Sequence, residues 1–310
     1  MGRIGRVAFL GTGSFAVPLL RRLPELADEL LVISTPERPA GRGLESRPSP
    51  VAKEARSLGL RLATPQRLRS EGGRAAIAEF APDGLLLAAY GQIVPADLLK
   101  AAPRPPLNIH PSLLPHHRGA APVAAAILAG DEITGVSLMI MVLELDAGPI
   151  VAQWPVTLTG REQAPELEAR LAALAAERVP EQLDAWATGS LEARPQDATQ
   201  ATVVHPFTRN DGLIDWARSA EEIDRQVRAL QPWPGAWTTL GKRRLHVRRA
   251  HPQAEVVALS PGTVLLDAPT RVASGRGVLV LDEVQPEGRA LMPADAWRRG
   301  VPGSIDRLGS

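Results

Sequence analysis

The sequence predicts a mixed α/β protein with a mostly parallel sheet, followed by a second, smaller domain that folds as a β-barrel. Up to residue 189, short apolar runs typical of buried strands alternate with segments of helical periodicity. Beyond residue 205, short Val- and Leu-rich segments are separated by Gly and Pro, which is typical of a small all-β domain. The chain has 310 residues and is 45% hydrophobic, so it can build the cores of two ordinary domains.

The first predicted elements form a βαβ unit. A strand at residues 7–10 leads into the turn Gly11-Thr12-Gly13-Ser14-Phe15-Ala16, a helix, and a second strand at residues 30–34. The G-x-G-x-x-A pattern of this turn occurs in dinucleotide-binding proteins, in which an acid such as Glu37 would bind the ribose. The same glycines also serve plain packing of a helix on a strand, and we favour that interpretation over NAD binding.

The following elements continue the alternation. Further strands are predicted at four segments: residues 84–89, 107–110, 136–145 and 150–156. Helices are predicted at three segments: residues 49–58, 74–80 and 122–128. A longer helix begins near Ala164, because leucines then recur at helical spacing as a core stripe: Leu167, Leu171, Leu174 and, further on, Leu183.

The boundary between the two domains is predicted in a polar stretch at residues 189–202. We therefore divide the chain into an α/β domain at residues 1–189, a linker at 190–205 and a C-terminal domain at 206–310. The C-terminal domain is predicted to contain a helix and three strand segments: residues 220–230, 245–247, 262–266 and 277–284.

Composition restricts the classes of function. The chain has no cysteine, which excludes disulfides, thiolate metal sites and a cysteine nucleophile. No apolar run reaches the roughly 18 residues that span a membrane. The first six residues lack the apolar core of a signal peptide. We expect a soluble, cytoplasmic protein with no membrane partner.

The charge is uneven along the chain although the formal net charge is only +1. Residues 207–310 carry 15 Lys and Arg against 12 Asp and Glu, whereas residues 1–206 carry 20 against 22. Five cations lie within residues 242–251, and alternation across Leu245 and Val247 predicts a strand with basic side chains on its exposed face. Such a run is either a solvated face or a contact with a phosphate backbone.

Three polar residues form the candidate catalytic set. Asn108 and His110 stand two apart at the end of a predicted strand, so they project from the same face. Asp146 follows another apolar run and precedes the turn sequence Ala147-Gly148-Pro149. An amide donor, an imidazole and a carboxylate suit acyl transfer, in which an oxyanion needs donors and a nucleophile loses a proton. The alternatives are a packed histidine, a capping asparagine and a turn-forming aspartate.

The segment around this set resembles the signature of the folate-dependent formyltransferases: Asn108-x-His110-Pro111-Ser112-Leu113-Leu114-Pro115, then Arg118-Gly119-Ala120-Ala121-Pro122. Leu145-Asp146-Ala147-Gly148 resembles the second active-site segment of that family. Residues 36–43 and 48–50 resemble an inserted loop, residues 89–95 the folate pocket, and residues 214–216 and 232–236 the C-terminal domain. The likeness keeps order and spacing over nearly the whole chain.

The resemblance implies a Rossmann-like catalytic domain and an OB-like tRNA-binding domain. It implies transfer of a formyl group from 10-formyltetrahydrofolate to the α-amino group of methionine esterified to initiator tRNA, without a metal or an obligate protein partner. Asn108, His110 and Asp146 would be catalytic. The residues expected at the folate are Ser112, Leu113, Leu114, Pro115, Tyr90, Gln92 and Ile93. The residues expected at tRNA are Arg38, Arg42, Arg47, Lys242, Arg243, Arg244 and Arg248.

Four alternatives remain at the level of the sequence. Within the family, a formyltransferase acting on an amino-sugar nucleotide would share the catalytic set, although the inserted loop and the basic strand favour tRNA. A serine hydrolase using Ser112 lacks the glycine-flanked nucleophile turn. A metal site at His110, His116 and His117 is disfavoured because adjacent histidines rarely bind one ion. A non-catalytic nucleic-acid-binding module would leave the catalytic set without a role.

Two departures from the family pattern are visible. Leu44-Glu45 stand where lysines are common, which implies a weaker grip of the inserted loop on tRNA. Pro149 stands where an acidic residue is common.

Overall fold

The computed structural model describes residues 3–40, 45–265, 267–301 and 305–309. The chain forms two compact units. The first comprises Met1–Pro122, Ile133–Thr157 and Glu168–Val204, and the second comprises Val123–Glu132, Leu158–Leu167 and His205–Ser310.

The part of the chain that precedes residue 205 contains the following strands: β1 (Arg6–Gly11), β2 (Glu29–Ile33), β3 (Arg38–Ala40), β4 (Glu45–Arg47), β5 (Arg61–Ala63), β6 (Gly84–Ala88), β7 (Leu107–His110), β8 (Arg118–Gly119), β9 (Ile133–Ile140), β10 (Ile150–Thr157) and β11 (Val203–Val204). Its helices are α1 (Val17–Leu26), α2 (Pro50–Ser57), α3 (Glu71–Phe80), α4 (Pro122–Ala129), α5 (Ala164–Arg178) and α6 (Pro180–Thr188).

The first unit is built on a seven-stranded sheet with the order β10-β9-β7-β6-β1-β2-β5. The five strands from β7 to β5 are parallel. At one side, β9 pairs antiparallel with β7, and β10 pairs antiparallel with β9. The mostly parallel sheet predicted from the sequence is confirmed. Two further pairs, β3 with β4 and β8 with β11, are separate two-stranded ribbons.

The centre of this sheet is apolar on both faces, as expected for parallel strands covered by helices. Val7 to Leu10 of β1 have no exposed surface. In β6, Gly84 lets a tryptophan ring lie against the strand, since an added Cβ would be 2.2 Å from the ring of Trp186. The indole of Trp186 donates to the carbonyl of Pro105 over 2.8 Å, which satisfies its buried N–H.

The strand predicted at residues 136–145 is wrong in its second half. β9 ends at Ile140, and the chain then leaves the sheet. Val142, Leu143 and Leu145 are 41%, 74% and 61% exposed, so this apolar run does not belong to the core. An apolar run predicts a strand only where another element covers it, and here none of the described elements does.

The segment expected as a linker carries mostly exposed residues, but it belongs to the first unit. Arg194 forms a β-bridge with Ile150, and Val203 and Val204 pair with Arg118 and Gly119. The boundaries 1–189, 190–205 and 206–310 remain a proposal for where the chain divides into domains.

The part of the chain from residue 205 contains α7 (Ala220–Ala229), β12 (Trp237–Leu240), β13 (Arg243–Gln253), β14 (Val264–Leu265), β15 (Arg271–Ala273), β16 (Val278–Pro286), β17 (Met292–Pro293) and α8 (Ala294–Arg299). The strands form one antiparallel sheet in the order β12-β13-β16-β15-β14, with β17 on β16. Ile223 and Val227 of α7 pack in one core with Leu245 and Val247 of β13. This β-rich unit has the architecture expected of an OB-like domain.

Among the helices of the described residues, none is long and apolar enough to cross a membrane.

Candidate active site

Strand β7 carries two of the three candidate catalytic side chains. Asn108 and His110 alternate with Ile109, which is only 1% exposed and lies in the core. Parallel β6 lies on one side of β7, and antiparallel β9 on the other pairs Ser137 with His110. The sheet register therefore holds the amide and the imidazole together at the carboxyl end of β7.

Asp146 lies in the loop between β9 and β10, and the structure brings it to the same place. Its Oδ1 is 3.4 Å from Asn108 Nδ2, and its Oδ2 is 3.6 Å from His110 Nδ1. The backbone N–H of Gly119 donates to Oδ2 over 2.8 Å, which is the shortest of these three distances. The side chains of His110 and Asp146 are only 6% and 11% exposed, so their interaction is weakly screened by water.

The backbone of Asp146 is in the left-handed region, with φ 49°. A non-glycine residue there costs roughly 1–2 kcal/mol, although aspartate tolerates the region better than most residues. Such strain persists only where the surroundings hold it, and it often marks a functional residue.

The hydrogen bond made by Nε2 of His110 determines which proton state Nδ1 has in the neutral ring. Nε2 lies 2.9 Å from the carbonyl oxygen of His117, and a carbonyl can only accept, so Nε2 carries a proton. In the neutral ring, Nδ1 therefore presents a lone pair towards Asp146; in the charged ring, it presents a proton. The carbonyl of His117 is thus part of the site, and its residue has φ 57°, also in the left-handed region.

The loop that follows β7 is fixed by buried hydrogen bonds. Ser112 has no exposed surface, and its hydroxyl donates to the carbonyl of His116 over 2.6 Å. The hydroxyl of Ser137 accepts from Leu114 N and donates to the carbonyl of Ser112. Gln153 Nε2 donates to the carbonyl of Leu114 over 2.8 Å. Because the Ser112 hydroxyl is buried and engaged, the serine hydrolase alternative loses its nucleophile.

The residues expected at the folate differ in what they expose. Leu114 is 3% exposed, Leu113 and Pro115 are partly buried, and Ile93 is 90% exposed. Gln92 Oε1 accepts from Leu68 N over 2.9 Å. Ser112 and Leu114 are thus buried, with backbone groups bonded to Ser137 and Gln153, whereas Ile93 exposes its side chain.

Tyr90 is 4% exposed and belongs to the core of the first unit. Burial raises the pKa of its phenol to about 12. Its hydroxyl has no hydrogen-bond partner among the described residues. The phenol oxygen of Tyr90 is therefore buried, whereas the side chain of Ile93, three positions later, is exposed.

The glycine-rich turn is hydrogen-bonded to the segment that follows β6. The backbone N–H groups of Thr12 and Gly13 both donate to the carbonyl of Ala89 over 3.1 Å, so these two donors already have a partner. Glu37 accepts from Arg56 over 2.8 Å and from Ser46, and the Arg56 bond lowers the pKa of Glu37. Both features therefore support the fold of the first unit.

Two further residues support the site: Arg118, which lies in the segment that resembles the family signature, and Gln196, which the sequence did not single out. Gln196 Nε2 donates to the backbone carbonyls of Asp146 and Gly148 over 2.8 and 2.7 Å. Arg118 is 6% exposed, and two of its guanidinium nitrogens donate to Gln196 Oε1 over 3.1 and 2.8 Å. Gln196 lies in a polar stretch 50 residues after Asp146, and nothing in the local sequence distinguishes it from its neighbours.

Four of the seven basic residues expected at tRNA lie on β13 or on the turn before it: Lys242, Arg243, Arg244 and Arg248. Lys242 and Arg243 are exposed. The guanidinium of Arg244 lies 4.2 Å from the ring centroid of Trp237. Arg248 is partly buried and donates to Gln285 Oε1 over 2.8 Å and to Gln231 Oε1 over 3.2 Å. The exposed basic strand predicted from alternation is therefore present, but its cations are not equally accessible.

The same strand carries His246. Burial, followed by the charges of Arg248 and Arg244, holds the pKa of the His246 imidazole below its usual value.

Of the inserted-loop arginines, Arg47 is exposed, Arg38 is described only by its backbone, in β3, and Arg42 lies outside the described residues. Among the described residues there is no cluster of His, Asp and Glu that would hold a metal ion.

Comparison with known proteins identifies related chains along nearly the whole length. A family model described as formyl transferase matches residues 5–183, and a model described as formyl transferase, C-terminal domain, matches residues 206–302. A curated methionyl-tRNA formyltransferase of Roseiflexus castenholzii is 43% identical over 300 residues, which is 96% of each chain. One of Thermus thermophilus is 43% identical over 309 residues, covering 98% of this chain and 99% of the relative.

Solved structures share the fold at low sequence identity. The crystal structure of HypX from Aquifex aeolicus in complex with tetrahydrofolic acid is 19% identical, with a TM-score of 0.66 over 96% of this chain and 48% of that one. An N-formyltransferase from Helicobacter canadensis, in complex with folinic acid and dTDP-3-aminofucose, is 14% identical, with a TM-score of 0.66. It covers 89% of this chain and 98% of the other.

Proposed function

The chain belongs to the formyl transferase family, and we propose that it is a cytoplasmic enzyme that formylates the α-amino group of methionyl initiator tRNA, with 10-formyltetrahydrofolate as donor. This reaction serves translation initiation. Relatives at 43% identity over nearly the full length carry the name methionyl-tRNA formyltransferase, and this supports the substrate. The single observation that carries the chemistry is the meeting of Asn108, His110 and Asp146 at one end of the sheet.

The reaction makes three demands on the enzyme. The attacking amine must be neutral, the charge that develops on the formyl oxygen must be stabilised, and one proton must pass from the amine to the departing N10 of the folate. When bound, the folate supplies an activated formyl carbon. The new bond joins the amine nitrogen to that carbon, and the bond from the carbon to N10 breaks.

Each of the three side chains has a group suited to one of these demands. Asn108 Nδ2 is an uncharged donor with only a 3.4 Å contact to Asp146, so it can turn to the formyl oxygen. Asp146 is an acceptor for the amine proton. His110 Nδ1, which faces Asp146 at 3.6 Å, exchanges that proton with the carboxylate and delivers it to N10.

The surroundings of Asp146 favour a ligand with an apolar ring system. Val142, Leu143 and Leu145 precede Asp146 in the chain and expose apolar side chains. Exposed apolar groups beside a catalytic carboxylate are typical of a binding cleft. The benzoyl ring of the folate donor would cover them and exclude water from the reacting groups.

The tRNA would be held by cations that solvent can reach. Lys242 and Arg243, at the exposed start of β13, fit a phosphate backbone, and Arg244, supported by Trp237, adds a third cation. Arg248 is engaged by two glutamines, so we assign it a supporting role. In the first unit, Arg47 in β4, together with Arg38 and Arg42, would make a separate contact with the tRNA.

Formylation of charged initiator tRNA tests the proposal. Purified protein is incubated with methionyl initiator tRNA and 10-formyltetrahydrofolate, and formyl-methionine is measured after the ester is hydrolysed. Uncharged tRNA and an amino-sugar nucleotide serve as parallel acceptors. We expect formyl transfer to the charged tRNA alone. Transfer to the sugar nucleotide, with none to the tRNA, would replace the proposal by the sugar-nucleotide alternative.

A further inference from the structure

We propose that Gln196 is a positioning residue for Asp146, and that its amide fixes the catalytic carboxylate through both of its ends. This inference rests on the proposed function, because it assigns Asp146 a catalytic role. Gln196 touches none of the three catalytic side-chain groups; its contacts are to backbone carbonyls and to Arg118.

The donor end of the amide holds the loop that carries Asp146. Gln196 Nε2 donates to the carbonyls of residues 146 and 148 over 2.8 and 2.7 Å, so one NH₂ group binds both sides of the turn. Asp146 has φ 49°, a conformation that needs support from its surroundings. These two bonds provide that support at the strained residue itself.

The acceptor end of the amide is linked to the Asp146 carboxylate through Arg118 and Gly119. Arg118 donates two hydrogen bonds to Gln196 Oε1, and the next residue, Gly119, donates its N–H to Asp146 Oδ2 over 2.8 Å. Arg118 N and Ala120 N are bonded to the carbonyls of Thr202 and Val204. A ring therefore runs from Asp146 through Gln196, Arg118 and Gly119 back to Asp146.

Only a neutral amide can satisfy all of these partners. Arginine can only donate and carbonyls can only accept, so the orientation of the Gln196 amide is fixed by its surroundings. A glutamate has the same shape and keeps the bonds from Arg118, but it has no donor and repels the two carbonyls. An alanine loses the hydrogen bonds of both the amide NH₂ group and the amide oxygen. The two variants therefore separate the attachment of Arg118 from the support of Asp146.

The test compares Gln196→Glu, Gln196→Ala and a matched control, Gln200→Glu. Gln200 is exposed in the same segment and its side chain donates to Asp197. For each protein we measure Tm, tetrahydrofolate affinity, single-turnover formylation of methionyl-tRNA per folate-binding site, and hydrogen exchange at the Gly119 amide. We expect Gln196→Glu to keep the Tm and the folate affinity, since its carboxylate retains Arg118.

We expect the single-turnover rate of Gln196→Glu to fall about 10²-fold, the effect of misplacing a reacting group by about 1 Å. The Gly119 amide, whose acceptor is no longer held in place, should exchange about tenfold faster. Gln196→Ala should have both a lower single-turnover rate and a lower Tm than the wild type. Gln200→Glu should match the wild type in every measurement.

A rate for Gln196→Glu within threefold of the wild type, at unchanged Gly119 exchange, would overturn the inference. A parallel loss of Tm and rate, with no excess loss of rate, would assign Gln196 a merely structural role and also overturn it. If the wild type itself forms no formyl-methionyl-tRNA, the proposed function fails. The Gly119 exchange then still decides whether Gln196 positions Asp146.

Discussion

Replacing Asp146 with asparagine removes a charge and a proton acceptor while preserving the size of the side chain. The amide oxygen can still accept from Gly119 N, which makes the shortest contact of the carboxylate at 2.8 Å, so the loop should keep its place. The variant loses the base that faces His110 at 3.6 Å. Loss of a positioned general base typically costs about 10²–10⁴ in rate, or about 3–5 kcal/mol of activation free energy.

The assay is single-turnover formylation of methionyl-tRNA with enzyme in excess over tRNA, so that product release does not enter the rate. We expect the rate of Asp146→Asn to fall at least 10²-fold at unchanged tetrahydrofolate affinity and Tm. The control is Asp28→Asn, which breaks an exposed ion pair with Arg3 that is worth little. A rate for Asp146→Asn within tenfold of the wild type would show that the carboxylate is structural.

Three further predictions concern the Asp146 loop, the C-terminal unit and the basic strand. In Gly148→Ala the new Cβ would lie 1.7 Å from the Ile140 carbonyl oxygen, so we expect a loss of about 1–3 kcal/mol in a denaturant titration and a lower formylation rate. Hydrogen bonds from Ser219 lower the pKa of Glu222 from 4.5 to about 2 in the folded protein. The stability that Glu222 adds is therefore present above pH 4.5 and lost as the pH falls towards 2, and urea titrations should show the gap between wild type and Glu222→Gln closing over that range. Replacing Lys242, Arg243 and Arg244 with Ala should weaken tRNA binding and flatten its salt dependence by about one unit for each phosphate that the protein no longer neutralises, and an unchanged salt slope in filter binding would leave the strand a solvated face.

The sheet could be predicted because its strands carry their own pattern. The strand predicted at residues 107–110 is β7 with the same bounds, since apolar residues there alternate with the two polar ones. The run at residues 136–145 is largely apolar, and composition could not show that only its first half is covered. Burial depends on contacts between distant segments, which no local pattern encodes.

The same limit applies to the site. The spacing of Asn108 and His110 predicts that they share a face, but the meeting with Asp146 depends on β9 lying beside β7 and on where the chain leaves β9. The bonds that make Arg248 unlike Lys242 come from Gln285 and Gln231, which are distant in sequence. Charge alone therefore predicts a basic strand, but not which of its cations can reach a ligand.

The position of the Asp146 carboxylate is determined largely by close approaches of the backbone. A Cβ at Gly119 would lie 2.4 Å from the Val204 carbonyl oxygen, and a Cβ at Gly148 would lie 1.7 Å from that of Ile140. One glycine lets β8 pair with β11, which aims its N–H at Asp146, and the other lets the Asp146 turn lie against the end of β9. Both glycines lie in the segments that resemble the family signature, although neither carries a reactive group. Their role is geometric, because a carboxylate about 1 Å out of place loses much of its rate advantage whatever its charge.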